Sequence, residues 1–209
     1  MVRSSLMRLL QSLELIRTKG WSEFLRGLIY INREAILYEK DLREVKENSD
    51  LLKKENVNFV EMMPGTINDY EYTTKSRYHK ALIYCDKGYQ GYAITRENRI
   101  IGDTWYYSSK LSDKPIDIKW LGFKNWSKDD IYTFDIFLVP EERGKYLSSI
   151  LQNMAMYSLG RKGYLRAYTF VFSDNIPSIW MTRVTNKWRE IGRIRVSRFV
   201  FFKFGAKRQ

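Results

Sequence analysis

Tyr132-Thr133-Phe134-Asp135-Ile136-Phe137-Leu138-Val139-Pro140-Glu141-Glu142-Arg143-Gly144-Lys145-Tyr146-Leu147 is the stretch on which the reading turns. Its first half is dense in β-branched and aromatic residues, which favour a strand, and Pro140 lacks the amide that would continue a ladder. Leu147, Ile150, Leu151, Met154 and Ser158 then fall on one side of a helix. A strand over 131–139 therefore passes through a tight turn into a helix over 143–159. The first amides of such a helix have no partners inside it and face outwards as an anion site. Arg143 and Lys145 add full positive charge at that end, and Gly144 has no Cβ to hold a ligand away from the backbone. A pyrophosphate is the natural occupant of a turn built this way.

Working outwards, a strand over 165–172, a helix over 176–188 and a strand over 193–203 continue the alternation, which requires at least one parallel crossover. Upstream, strands over 89–95 and 99–107 flank Arg96, Glu97 and Asn98 as a hairpin turn. Further strands are expected over 35–42 and 57–62, the second ended by Pro64 and Gly65. The charged stretch 43–55 reads as an exposed helix or loop, and 68–85 as a polar, aromatic-rich helix. The linker 108–130 is irregular and holds Trp120, Phe123 and Trp126, so it is a candidate wall of a substrate pocket. Trp105, Tyr106, Tyr107, Trp120 and Trp126 either line an acceptor site or fill a core.

At the N-terminus Leu6, Leu9, Leu10, Leu13 and Ile16 recur at helical spacing, and Trp21, Phe24, Leu25 and Leu28 follow Gly20. Two helices joined at Gly20 are expected within 5–30. Arg3, Arg8, Arg17, Lys19, Arg26 and Arg33 on the polar side give the pattern of a helix lying on an anionic surface. The ordinary alternative is a helix packed on its own domain or on a partner chain. The division is then a basic amphipathic segment, 1–33, and a main domain, 34–209.

A chain of 209 residues with 44% hydrophobic and 15% aromatic content can bury one substantial core. Cys85 and His79 are the only residues of their types, which excludes an intrachain disulfide, a thiolate metal cluster and a Cys-His nucleophile; no metal site is expected. No segment has the roughly eighteen uninterrupted apolar residues that cross a bilayer, and a reducing, cytoplasmic setting is expected. The net charge of +12 implies attraction to something anionic, whether nucleic acid, a membrane surface or a polyphosphate cofactor, or is simply a solvated face. The basic, aromatic stretch 193–203 has the composition of a nucleic-acid platform, but its apolar content on both faces suits a strand buried in a sheet.

The motifs resemble those of the GNAT acetyltransferase superfamily. Val139-Pro140-Glu141-Glu142-Arg143-Gly144-Lys145 is similar to the family's Val-Pro-x-x-Arg-Gly-Lys phrase at its coenzyme A turn. Against the stricter pattern Arg/Gln-x-x-Gly-x-Gly/Ala, Gly144 matches while Glu141 and Tyr146 depart. Asn175 and Ser178 match the Asn-x-x-Ser/Ala opening of the last helix, and Asn186 to Arg193 resembles the family's Leu-Gly-Phe-x-x-x-Gly-Arg ending. The likeness covers roughly 57–203.

What the resemblance implies is an α/β (α+β) fold: a mixed, mostly antiparallel sheet with a splayed parallel strand pair, here 131–139 and 165–172, flanked by helices. Acetyl-CoA is the implied cosubstrate, with Leu138, Val139, Arg143, Gly144, Lys145, Tyr146, Leu147, Asn175 and Ser178 as its binding residues. An amide at Leu138 or Val139 would serve as oxyanion donor. Direct attack by an amine in a ternary complex needs a base, for which Asp135 is the candidate carboxylate; an ion pair on the sheet surface is its other reading. The family's general acid is a Tyr seven positions after the Asn, where this chain has Thr182, so either Tyr157, Tyr168 or solvent protonates the leaving thiolate or the thiolate leaves unassisted; Tyr168 is the chosen candidate. The N-terminal region and Pro177-Ser178-Ile179 resemble GNAT proteins associated with surface-polysaccharide synthesis. Candidate partners are thus a small-molecule amine, an amino sugar among them, a second copy of the chain, and a membrane surface met through the N-terminal helices. A non-catalytic nucleic-acid-binding or coenzyme A-binding module is the competing reading.

Overall fold

The computed structural model describes residues 29–111, 114, 115, 118–122, 126–199 and 202–208, with scattered positions between 12 and 25. Among these, nine strands make one sheet: β1 (Ile29–Asp41), β2 (Asn58–Met62), β3 (Glu71–Tyr72), β4 (Gln90–Arg96), β5 (Arg99–Ser108), β6 (Asp130–Leu138), β7 (Arg166–Phe172), β8 (Arg189–Phe199) and β9 (Phe202–Arg208). They lie in the order β2-β4-β5-β6-β7-β1-β8-β9, with two-residue β3 beside the start of β5. Neighbours are antiparallel except β6 with β7 and β3 with β5. The helices are α1 (Ser49–Lys54), α2 (Lys75–Asp86), α3 (Ile118–Leu121), α4 (Leu147–Arg161) and α5 (Ile176–Ile179), the last running into a π-helical turn, Trp180–Thr185.

Both faces of the sheet are covered, so its central strands carry near-continuous apolar runs; β5 buries all but its first residue. On one face α4 packs Leu147, Ile150, Leu151, Met154 and Leu159 against Ile36, Ile131, Ala167 and Val171. On the other, α2 brings Ala81 and Cys85 against Tyr89, Trp105, Tyr107 and Tyr132. Trp105, Tyr106, Tyr107 and Trp126 therefore belong to packed layers, while the Trp120 side chain lies outside the described residues.

β1 threads between β7 and β8, strands from the far end of the chain; Asn32 N–H reaches Ser197 Oγ across 165 positions of sequence. β1 also begins at Ile29, inside the segment 1–33 assigned to helices, because Ile29-Tyr30-Ile31 is strand-forming and finds an edge on β8. Most of that segment lies outside the described residues; Leu13, Ile16, Trp21, Phe24 and Leu25 are helical positions within it. Three other boundaries differ from expectation. The helix expected over 68–85 is preceded by a 3-10 turn and β3, and starts at Lys75 where Thr74 accepts from the Arg77 amide. The helix expected from 143 starts at Leu147, because positive φ at Gly144 and Tyr146 keeps the turn out of helical space. The single strand expected over 193–203 is a hairpin, β8 and β9.

The feature that opens a site is a fork. β6 and β7 pair only through Asp130, Ile131 and Tyr132 against Arg166, Ala167 and Tyr168. Beyond that β7 stays with β1, and β6 bends away with β5. The bend has a local cause: Phe134 faces Trp105 and Phe137 faces Asp103, so two residues of β6 oppose one of β5, with Asp135 at φ +56°. This is a β-bulge, which kinks its strand. Thr169 Oγ1 donates to the Thr133 carbonyl at 3.0 Å and pins the crotch of the fork.

Candidate active site

The gap holds two chambers that share Ile136, Asn175, Ser178 and Met181 as walls. The outer one, about 480 Å³, reaches the turn before α4 and is lined also by Leu138, Arg143, Gly144 and Ser148. The inner one, about 370 Å³, passes through the sheet towards α2 and is lined by Lys80, Tyr84, Thr133, Asp135, Gln152 and Thr182, with Tyr132, Phe134, Phe170 and Phe172 as aromatic walls.

At the outer end no side chain caps α4, and the amides of Gly144, Lys145, Tyr146, Leu147 and Ser148 have no backbone acceptor among the described residues. Gly144 sits at φ +84°, where a side chain is strained, and its vacant Cβ position opens to space. Tyr146, at φ +58°, is 70% exposed and leaves the turn uncovered. This is the geometry that receives a diphosphate, so the residues present fit coenzyme A. Arg143 borders the groove and donates from Nε to the Leu138 carbonyl at 3.1 Å. Lys145 pairs with Glu142, which Arg96 also holds, so its charge is shared inward. Leu147 is wholly buried and can offer only its amide.

The two oxyanion candidates separate cleanly. Val139 N–H donates to the Ile101 carbonyl at 2.9 Å and is occupied. Leu138 is one residue out of phase, so its amide and carbonyl point to the opposite edge, where β7 has departed; the contact of its carbonyl with Arg143 confirms that direction. Deeper in, Asn175 Oδ1 accepts from the Ser178 amide at 3.3 Å and starts α5, while Arg33 holds neighbouring Asp174 from β1 at 2.7 Å.

The bulge turns Asp135 towards α2, on the same side as Phe137, over whose ring Arg77 lies at 4.7 Å. Its Oδ2 receives Arg77 Nη1 at 2.8 Å, Lys80 Nζ at 2.8 Å and Tyr84 Oη at 2.9 Å, and its carbonyl accepts from Arg77 Nη2 at 3.1 Å. Arg77 also pairs with Asp103, which is fully buried on β5. Burial works to raise the Asp135 pKa, but the charges of Arg77 and Lys80 and the bonds from Lys80 and Tyr84 outweigh it and hold the carboxyl below its ordinary range. Sequence reasoning missed Arg77, Lys80 and Tyr84. Their signal was spacing: three and seven residues apart, they share one face of α2, and Asp103 is a lone charge inside an apolar strand.

Tyr168 is not brought to the chambers. It lies in the paired stem of the fork, 5.5 Å from the Trp126 ring, and burial pushes its hydroxyl up to about 12. Tyr157 does not line the chambers either. Thr182 does, buried at 1% exposure with its hydroxyl unpartnered among the described residues. Beside it Gln152 accepts from Asn186 Nδ2 at 2.6 Å, and Asn186 accepts from Ser149 at 2.7 Å.

No helix among the described residues is long and apolar enough to cross a membrane. Neither a protein-family model nor a curated protein matches the sequence. Solved structures do. The chain is similar to the glucosamine N-acetyltransferase region of a fungal multi-domain β-N-acetylglucosaminidase, with a TM-score of 0.58 and 14% identity over 89% of this chain and 22% of that one. It is similar to a tandem GNAT protein from the clavulanic acid biosynthesis pathway, at 0.51 and 11% over 89% and 58%. A GNAT-family acetyltransferase from Colwellia psychrerythraea matches at 0.50 and 8% over 90% and 62%. The chain thus spans less than two thirds of each of these structures, and at such identities the likeness is one of architecture. The fold of this protein is the GNAT acetyltransferase fold.

Proposed function

We propose that the protein is a GNAT-type N-acyltransferase that moves an acetyl group from acetyl-CoA to a small amine by direct attack. The observation that carries this reading is the fork between β6 and β7 running into an uncapped, glycine-bearing turn. When bound, the cosubstrate supplies a thioester whose acyl carbon is open to an amine. The turn amides of 144–148 and Arg143 hold the diphosphate, and the open edge of β6, with Asn175 and Ser178, receives the pantetheine arm. The Leu138 amide stabilises the negative charge that develops on the acyl oxygen, a contribution of about 2.7–4 kcal/mol for a preorganised donor.

The inner chamber takes the acceptor. Hydroxyls and amides set between aromatic walls suit a compact polar amine, and an amino sugar fits that chemistry; the glucosamine N-acetyltransferase region among the similar folds favours the same class. Asp135 was the expected base, but a carboxylate bound by three donors has little proton affinity left. Its role here is a fixed negative charge beside the attacking amine, with the proton leaving through water. Thr182 is too weak an acid to protonate the thiolate, which leaves unassisted or takes a proton from solvent.

Calorimetry and thermal melts with coenzyme A test the reading. Saturation near a hundred times Kd adds about 2.7 kcal/mol, which raises Tm by roughly 5–10 °C for a chain of this size. Gly144→Glu places a carboxylate against the diphosphate and is expected to remove that shift while the unliganded melt falls by only a few degrees. An unchanged shift in the variant, or a shift given by oligonucleotides and not by coenzyme A, defeats it.

A further inference from the structure

The chamber assigned to the acceptor already contains an amine. Lys80 Nζ lines its α2 end, with the side chain 21% exposed and 2.8 Å from Asp135. From Lys80 on α2 and Asp135 at the bulge we infer that Lys80 is itself an acyl acceptor, a self-modification site that takes an acetyl group from the thioester when no other amine occupies the chamber. The inference rests on the acyltransferase reading above.

Three features of the site support it. Lys80 can leave Asp135 without abandoning a charge: Arg77, which stays protonated throughout, holds the same oxygen at 2.8 Å and the Asp135 carbonyl at 3.1 Å. The distance is also within reach. Asp135 precedes Leu138 by three residues, or about 10 Å of extended strand and less across a bulge, and a four-carbon stem sweeps an arc of that order. Finally, Lys80 lines the inner chamber, which adjoins the outer one at Ile136, so proximity favours it over lysines on the outer surface.

The step balances. The Lys80 ammonium gives one proton to water, and the lone pair on Nζ forms a C–N bond to the acyl carbon. The C–S bond breaks with its electron pair going to sulfur, the second proton leaves nitrogen, and the thiolate is protonated. The products are acetyl-Lys80, coenzyme A thiol and one proton released in net. The modified side chain is neutral and bulkier, so acceptor turnover falls as the label accumulates.

The test is intact mass and peptide mapping of the full chain after incubation with acetyl-CoA alone, beside a calorimetric titration with coenzyme A. The expected result is one acetyl group on Lys80, slowed at least about tenfold by a competing amine or by Gly144→Glu, and lost in Lys80→Arg, which keeps a cation beside Asp135. Binding of coenzyme A with Lys80 unlabelled, or label spread over surface lysines at the rate seen in the heat-unfolded chain, overturns the inference and leaves the acyltransferase reading standing. Absence of any coenzyme A binding overturns both.

Discussion

Asp135 shows how one residue serves fold and site together. Its φ of +56° makes the bulge that bends β6, and its carboxylate takes three donors from α2. With the folded pKa held below the ordinary value near 4, the group stabilises the native state in full above that range. That stabilisation is lost as pH falls through the carboxylate range towards the folded pKa. Melts from pH 6 down to pH 3 are therefore expected to show a steep acid limb in the native chain and a shallower one in Asp135→Asn, which begins lower. At pH 7 that variant loses roughly 3–5 kcal/mol, the usual cost of breaking a buried pair from one side. Parallel acid limbs would mean that the carboxylate is not held ionised by Arg77 and Lys80.

Among the elements, the free edge of β6 is the one that a ligand can pair with. Hydrogen exchange read residue by residue separates its two faces. Val139, bonded to Ile101, is expected to be protected with or without ligand. Leu138, on the open edge, is expected to exchange fast alone and slow down when coenzyme A binds; equal protection of both before ligand would show that the fork is closed. This is also where the limits of the sequence are clearest. The strand-turn-helix through Gly144 was legible because proline, glycine and helical spacing are local signals. The hairpin turn at Glu97 was legible for the same reason. The bulge was not: Asp135 in an alternating strand gives no sign that it will flip, since the cause is a buried arginine from α2 and an aspartate on β5. The insertion of β1 was hidden too, because its partners lie at the far end of the chain. Tyr168 was chosen by residue type, and only the register of β7 shows that it belongs to the closed stem of the fork.

Across the whole molecule, β1 occupies the second edge of β7 along seven residue pairs, from Ala35 with Phe172 to Asp41 with Arg166. β7 keeps to β1 along that whole length while β6, past its bulge, follows β5, and the gap opens where the two strands part. The net charge of +12, from 36 basic against 24 acidic residues, favours a polyanionic ligand over the molecule as a whole. Under the function proposed here, this gap, and no other part of the surface, receives the acyl carrier. A crystal structure of the protein with acetyl-CoA tests it most directly. The diphosphate is expected on the amides of Gly144 to Ser148, the pantetheine arm between β6 and β7, and the acyl oxygen within hydrogen-bond distance of Leu138 N–H. A carrier bound elsewhere, or β6 and β7 paired along their full length, would contradict it.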